Sequence, residues 1–198
     1  DNPHLDARHL YEKLAIEDIQ KAADIFRGVY EETGGADGYI SLELSPDLAH
    51  DTEGSVAEAR RFWKEVNRPN LMIKVPATPE GIPAVEVLIA DGINVNITLM
   101  FSLAHYEAVA QAYLRGVKKC LKPSKVASVA SFFVSRVDTA VDKALETTGS
   151  PQALELRGKI AIATAKMVYK RFKALFSGQA WERLTRNGAR AQRPLWAS

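Results

Sequence analysis

Cysteine is nearly absent: Cys120 is the single one in 198 residues, so no intramolecular disulfide can form and no thiolate cluster can hold a metal. A surplus of either charge is missing too. With 26 basic against 24 acidic residues the net charge is +2, too balanced to draw the chain to nucleic acid or a membrane surface by bulk electrostatics. Any anion site has to be local. No apolar run approaches the ~20 residues that a membrane-spanning helix needs, and Asp1-Asn2-Pro3-His4 has neither the basic start nor the apolar stretch of a secretory signal; it reads as a loop leading into a helix. The glycine signatures of nucleotide binding, G-x-G-x-x-G after a strand and G-x-x-x-x-G-K-S/T, do not occur. His4, His9, His50 and His105 fall at no metal-ligand spacing and are expected at the solvent side or in structural roles. The expectation is a protein of a reducing, cytoplasmic setting that uses no metal and has neither nucleic acid nor membrane as partner.

What is present is the composition of a packed domain, 46% hydrophobic and 25% charged, at a length that one core can serve. Apolar residues from Leu10 to Val29 recur near helical spacing until Gly34-Gly35 stops them, which predicts helix over 5–33 with room for one break. The series continues as strand 38–45, helix 51–66, strand 70–75, helix 81–90, strand 93–99, helix 102–119, strand 126–133, one long helix 151–176, a short helix 180–186 and a closing apolar run 193–198. Strands alternating with helices imply parallel βαβ units in a single α/β domain spanning residues 1–198. The pattern fits a doubly wound sheet or part of a closed barrel; the missing nucleotide motifs favour the barrel. Trp63, Trp181 and Trp196 are expected in the core or half-buried.

Polar residues stand where these strands end. The first strand carries Glu43, the second Lys74, the third Asn96 and Thr98, the fourth Ser131 with Arg136 just beyond, and the chain ends at Ser198. In a parallel barrel function gathers at the C-terminal strand ends, so these groups would converge on one mouth. A lysine within Leu71-Met-Ile-Lys-Val-Pro76 is unusual, because an ammonium facing a barrel interior loses hydration; as a neutral amine it can attack a carbonyl and form an imine. The common alternative is an edge lysine whose head reaches water, and Glu43 in its alternating run could equally point at solvent. Asn96 and Thr98 lie two apart and share a face, suited to substrate hydroxyls or a water. Arg136 could grip a phosphate with its fork of donors.

The stretches Leu71-Met-Ile-Lys-Val-Pro-Ala-Thr-Pro-Glu-Gly-Ile82 and Gly92-Ile-Asn-Val-Asn-Ile-Thr-Leu-Met-Phe-Ser102 resemble transaldolase, a cofactor-free family of Schiff-base aldolases built on a (β/α)8 barrel. Ala130-Ser-Phe-Phe-Val-Ser-Arg-Val-Asp138 is similar to the longer bacterial branch, which includes forms fused to a glucose-6-phosphate isomerase. The resemblance implies Lys74 as the imine-forming lysine, Glu43 in proton transfer through a water that Thr98 positions, and Asn96 on substrate hydroxyls. It places Ser131, Arg136 and Ser198 at substrate hydroxyl and phosphate groups, Phe133 beside the site, and sugar phosphates as substrates. The sequence departs from the best-known branch at Phe132, where a proline is usual, and at Ser135, where a glycine is usual. By the same likeness the chain holds roughly five of eight barrel strands, lacking the first two, with a catalytic aspartate, and the last. An open arc is expected to self-associate through its edges. The activity implied is transfer of a dihydroxyacetone unit from sedoheptulose 7-phosphate or fructose 6-phosphate to an aldose phosphate, in the pentose phosphate pathway. The alternatives are a catalytically inactive or proteolysed stretch of such an enzyme, or a fructose-6-phosphate aldolase-like enzyme.

Overall fold

The computed structural model describes residues 6–198; the expected N-terminal loop at 1–4 and the first residue of the expected helix lie outside them. Five strands, β1 (Ile40–Glu43), β2 (Leu71–Pro76), β3 (Val95–Met100), β4 (Ser128–Phe133) and β5 (Arg193–Ala197), form one sheet in sequential order. Every neighbouring pair is parallel. Helices α1 (Ala7–Ile25) and α2 (Arg27–Glu32) precede β1, and α3 (Thr52–Val66), α4 (Gly81–Ala90) and α5 (Leu103–Lys119) cross over between the first four strands. Between β4 and β5 lie α6 (Val134–Thr148), α7 (Pro151–Leu154), α8 (Ile160–Leu175) and α9 (Gly178–Arg186).

Local chemistry explains these boundaries. Asp6, Asp51 and Ser102 cap α1, α3 and α5, each side chain accepting from the backbone N–H three residues on, the donors a helix start leaves without partners. Gly81 opens α4 because nothing larger fits: an added Cβ would lie 2.0 Å from the carbonyl oxygen of Pro76. That close approach seats α4 directly over the exit of β2.

Two expectations are corrected. Residues 134–148 form a helix that the periodicity did not reveal, because α6 follows β4 with Phe133 as its N-cap and no loop or capping side chain between them. The single helix expected over 151–176 is two, α7 and α8, separated by residues 155–159 with Gly158 at φ +69°. The expected break in the first helix falls at Phe26.

The two faces of the sheet differ in kind. Leu42, Leu71, Ile73, Val75, Val95, Ile97, Ala130 and Phe132 pack under the helices in the main core. The opposite, concave face carries Ser41, Glu43, Met72, Lys74, Asn96, Thr98, Val129 and Ser131, as strand alternation requires. It is strongly curled. Asn96 on β3 donates through Nδ2 to Ser41 Oγ on β1 at 3.0 Å, across the intervening β2, although those strands would lie about 10 Å apart in a flat sheet. At the N-terminal end, Tyr39 packs with Met72, Ala127 and Val129 and donates to Gly35 O at 2.8 Å; burial pushes its phenol up to about 12. Arg190, just before β5, donates through Nη2 to Gly34 O at 2.8 Å and through Nη1 to Gly35 O, ahead of β1. This clamp draws the two outer strands together at their starts.

Replacing Arg190 with Ala should therefore cost about 1–3 kcal/mol, the usual range for hydrogen bonds from a charged donor whose partners are left behind. A urea melt of both proteins measures it, and an unchanged midpoint would show that the ladder alone holds the curl. Among the described residues, no helix is long and apolar enough to cross a membrane.

Candidate active site

At the C-terminal end of the curl the register aligns Glu43 with Lys74 and Lys74 with Asn96. Residues aligned across neighbouring parallel strands project to the same face, so the carboxylate and the amine meet: Lys74 Nζ donates to Glu43 Oε1. The lysine side chain is 25% exposed and the glutamate 67%. The difference follows from position, because Lys74 lies within the sheet while Glu43 stands on β1, which among the described residues is paired on one side only.

A cavity of about 390 Å³ opens above this pair, lined also by Thr98, Leu99, Phe133 and Arg136. Thr98 is only 7% exposed and its hydroxyl has no hydrogen-bonding partner among the described residues. A buried hydroxyl is costly unless something bonds to it, and here it borders the cavity. Phe133 stacks on Phe101 with ring centroids 5.9 Å apart, and the Arg136 guanidinium lies over the Phe133 ring, 4.7 Å from its centre. The β4 side of the mouth thus presents an apolar plate with a cation upon it.

Asn96 and Ser131 lie one layer deeper. Ser131 Oγ donates to Asn96 Oδ1 at 2.7 Å while Asn96 donates to Ser41, giving a buried polar rung beneath the lysine. Neither lines the cavity. Ser198 is not brought to this mouth at all. Ala197 pairs with Phe133 on the concave side, so alternation sends Trp196 and Ser198 to the outer side, where they border a cavity of about 620 Å³ with Val134, Ile162 and Tyr169 from α6 and α8.

Two features of the site were not read from the sequence. Ser41, two residues before Glu43 and on the same face, was there to be found by alternation. Leu99 was not: it takes φ +62° at a register irregularity between Ile97 and Met100, a backbone state that nothing in Ile-Thr-Leu-Met announces. This kink turns Leu99 into the cavity wall. Such a conformation costs a bulky residue about 1–3 kcal/mol and tends to occur at functional sites.

No group of three or more His, Cys, Asp or Glu side chains able to hold a metal occurs among the described residues; the exposed His9 and His50 pair with Asp6 and Glu80. What the mouth offers is an amine touching a carboxylate, a hydroxyl awaiting a partner, and a guanidinium at the rim. These are the parts needed for imine chemistry on a carbonyl compound that carries an anionic group.

Comparison with known proteins shows where the chain belongs. The family model described as transaldolase/fructose-6-phosphate aldolase matches residues 2–187. A transaldolase of Thermobifida fusca is 54% identical over 185 residues, covering 91% of this chain and 50% of that protein. Transaldolases of Acidothermus cellulolyticus and Thiobacillus denitrificans are 48% and 49% identical over 98% of this chain, covering 53% and 55% of theirs. The chain thus spans about half the length of the curated relatives it matches. Its five parallel strands make a partial (β/α)8 barrel, and the chain belongs to the transaldolase/fructose-6-phosphate aldolase family.

Proposed function

We propose that this chain carries the imine-forming half of a transaldolase site, with Lys74 as nucleophile. The observation that supports this most is the contact between Lys74 Nζ and Glu43 Oε1 at the floor of the cavity. An ammonium has no lone pair to attack with, and Glu43 is placed to take its proton. The amine then adds to the ketone carbon of a ketose phosphate such as fructose 6-phosphate or sedoheptulose 7-phosphate. Protonation of the carbinolamine hydroxyl by the carboxylic acid expels water and leaves an iminium. That cation draws in the electron pair of the C3–C4 bond as it breaks, while the C4 hydroxyl passes its proton through water to the Glu43 carboxylate, releasing an aldose phosphate and an enamine of dihydroxyacetone. Addition of the enamine to a second aldose phosphate, followed by hydrolysis of the new iminium, completes the transfer and restores the lysine. No metal or organic cofactor is required by these steps.

The remaining residues take roles the cavity supports. Thr98 holds a water between Glu43 and the reacting carbon, Phe133 screens the imine from bulk solvent, and Arg136 receives the phosphate. Asn96 and Ser131, through their shared rung, set the height of the floor on which substrate hydroxyls rest. Ser198, on the outer side, is left without a substrate role in this reading. Borohydride reduction in the presence of fructose 6-phosphate, followed by peptide mass spectrometry, tests the proposal; an adduct on Lys74 is expected.

The edges of the arc support a second element of the proposal, association of the chain with its own copies. β1 and β5 each have one side unpaired among the described residues. Apolar side chains are exposed beside both, Tyr11, Leu14 and Ile25 on α1 and Ile162, Leu195 and Trp196 near β5. A parallel β5–β1 pairing between copies would satisfy both edges. Sedimentation velocity at micromolar concentration should then give species larger than 21.8 kDa; a sharp monomer boundary would refute it.

A further inference from the structure

Residues 43–46 form a wall with space on both sides. Glu43, Leu44, Ser45 and Pro46 line the Lys74 cavity on one face and a second cavity of about 280 Å³, toward α1, on the other. Leu44 packs its side chain into the main core, but Ser45 and Pro46 after it are not buried, so hydrogen bonds have to fix the backbone there. The sheet supplies the last ladder bond when Leu44 N donates to Lys74 O at 3.3 Å. Pro46 has no N–H to offer. The only backbone donor left between them is that of Ser45, and it goes to Glu58 Oε2 at 2.8 Å.

Glu58 is suited to this task. Of the acidic residues on α3 it alone is buried, at 8% exposure. A carboxylate taken out of water needs compensating charge, and Glu58 Oε1 has it in Arg8 Nη2 at 3.5 Å and Arg61 Nη2 at 3.7 Å. Both arginines are tied in turn to Glu12. An inward-facing glutamate, backed by two cations and aimed at one backbone N–H, is an expensive arrangement for a helix that could have used an apolar residue there.

We propose that Glu58 is a positioning residue for the Lys74 site: it holds the Ser45 amide from behind and thereby fixes the carboxylate of Glu43 against the amine. The inference rests on Lys74 being the imine-forming lysine. It makes Glu58 matter for the rate of proton transfer and not for substrate affinity, because Glu58 does not border the Lys74 cavity.

The test follows imine formation by borohydride trapping with fructose 6-phosphate in wild type, Glu58→Ala, Glu58→Gln and Ser45→Pro, with a urea melt of each. Glu58→Ala is expected to lower the trapping rate at saturating sugar about tenfold, the size of one charge-assisted hydrogen bond, with the half-saturating concentration unchanged. Glu58→Gln keeps an oxygen acceptor and should recover most of that rate. Ser45→Pro removes the donor and leaves Glu58 in place; Ser45 has φ −55° and ψ 133°, which proline adopts readily, so this variant reads the hydrogen bond even where Glu58→Ala fails to fold. It should slow trapping as Glu58→Ala does. Folded Glu58→Ala or Ser45→Pro protein that traps at the wild-type rate would overturn the role of Glu58 alone, as would a Gln variant as slow as Ala. Absence of any adduct in folded wild type would overturn the Lys74 reading, and the role of Glu58 with it.

Discussion

Lys74→Ala is expected to abolish the reducible adduct with fructose 6-phosphate and to lower any transferase turnover by at least about 10³-fold, because no other group in the cavity can form the covalent intermediate. The Arg136 guanidinium is no substitute for an amine nucleophile, and among the described residues no other lysine lines this cavity. The fold should hardly notice. Lys74 sits on the concave face away from the main core, so its truncation should move stability by about 1 kcal/mol or less. Peptide mass spectrometry after borohydride reads the outcome directly. An adduct of equal yield in the variant would place the imine on another lysine.

Glu43→Gln should give the second largest loss, about 10²–10⁴-fold in the rate of imine formation, the usual worth of general acid–base help. The amide matches the carboxylate in shape but neither accepts the ammonium proton nor returns it to the carbinolamine. The adduct on Lys74 should therefore still form, only slowly. This separates Glu43 from the nucleophile: loss in rate with the same final modified peptide marks a proton-transfer role, whereas wild-type kinetics would mean that the observed pair is an ordinary ion pair. Because Glu43 is 67% exposed, its replacement should cost little stability, and the two losses can be compared in folded proteins.

The strands and the mouth were legible because parallel sheets write their exits in a simple code. An apolar run broken by a charged or amide residue near its end, as at Lys74 and Asn96, marks an inward-facing position, and alternation then groups the residues by face. That reasoning gave the meeting of Glu43 with Lys74 and the shared cavity with Thr98 and Arg136; Phe133 came from the resemblance alone. It was weaker wherever the decisive fact was a backbone state or a register. α6 was missed because β4 passes into it without a turn. Ser198 was carried to the mouth by its place at the end of the last run as well as by resemblance, yet the pairing of Ala197 with Phe133 turns it outward. Asn96 was assigned to substrate hydroxyls, but its amide is engaged by Ser41 and Ser131, contacts between strands that are not all neighbours and that no local pattern encodes. Nothing in the sequence sets Glu58 apart from Glu53 and Glu65 on the same helix; its burial depends on where Arg8 and Arg61 arrive.

The Arg190 clamp also bears on how the arc comes apart. It joins groups 155 and 156 positions apart in sequence, so it can close only after each intervening crossover has found its place. Contacts of such long range add nothing to the early, local steps that set the pace of folding. Interactions absent from the transition state act almost wholly on the rate of escape from the native state. The guanidinium is thus a latch more than a nucleus: it leaves the speed of assembly to the βαβ units and lengthens the time the assembled mouth persists.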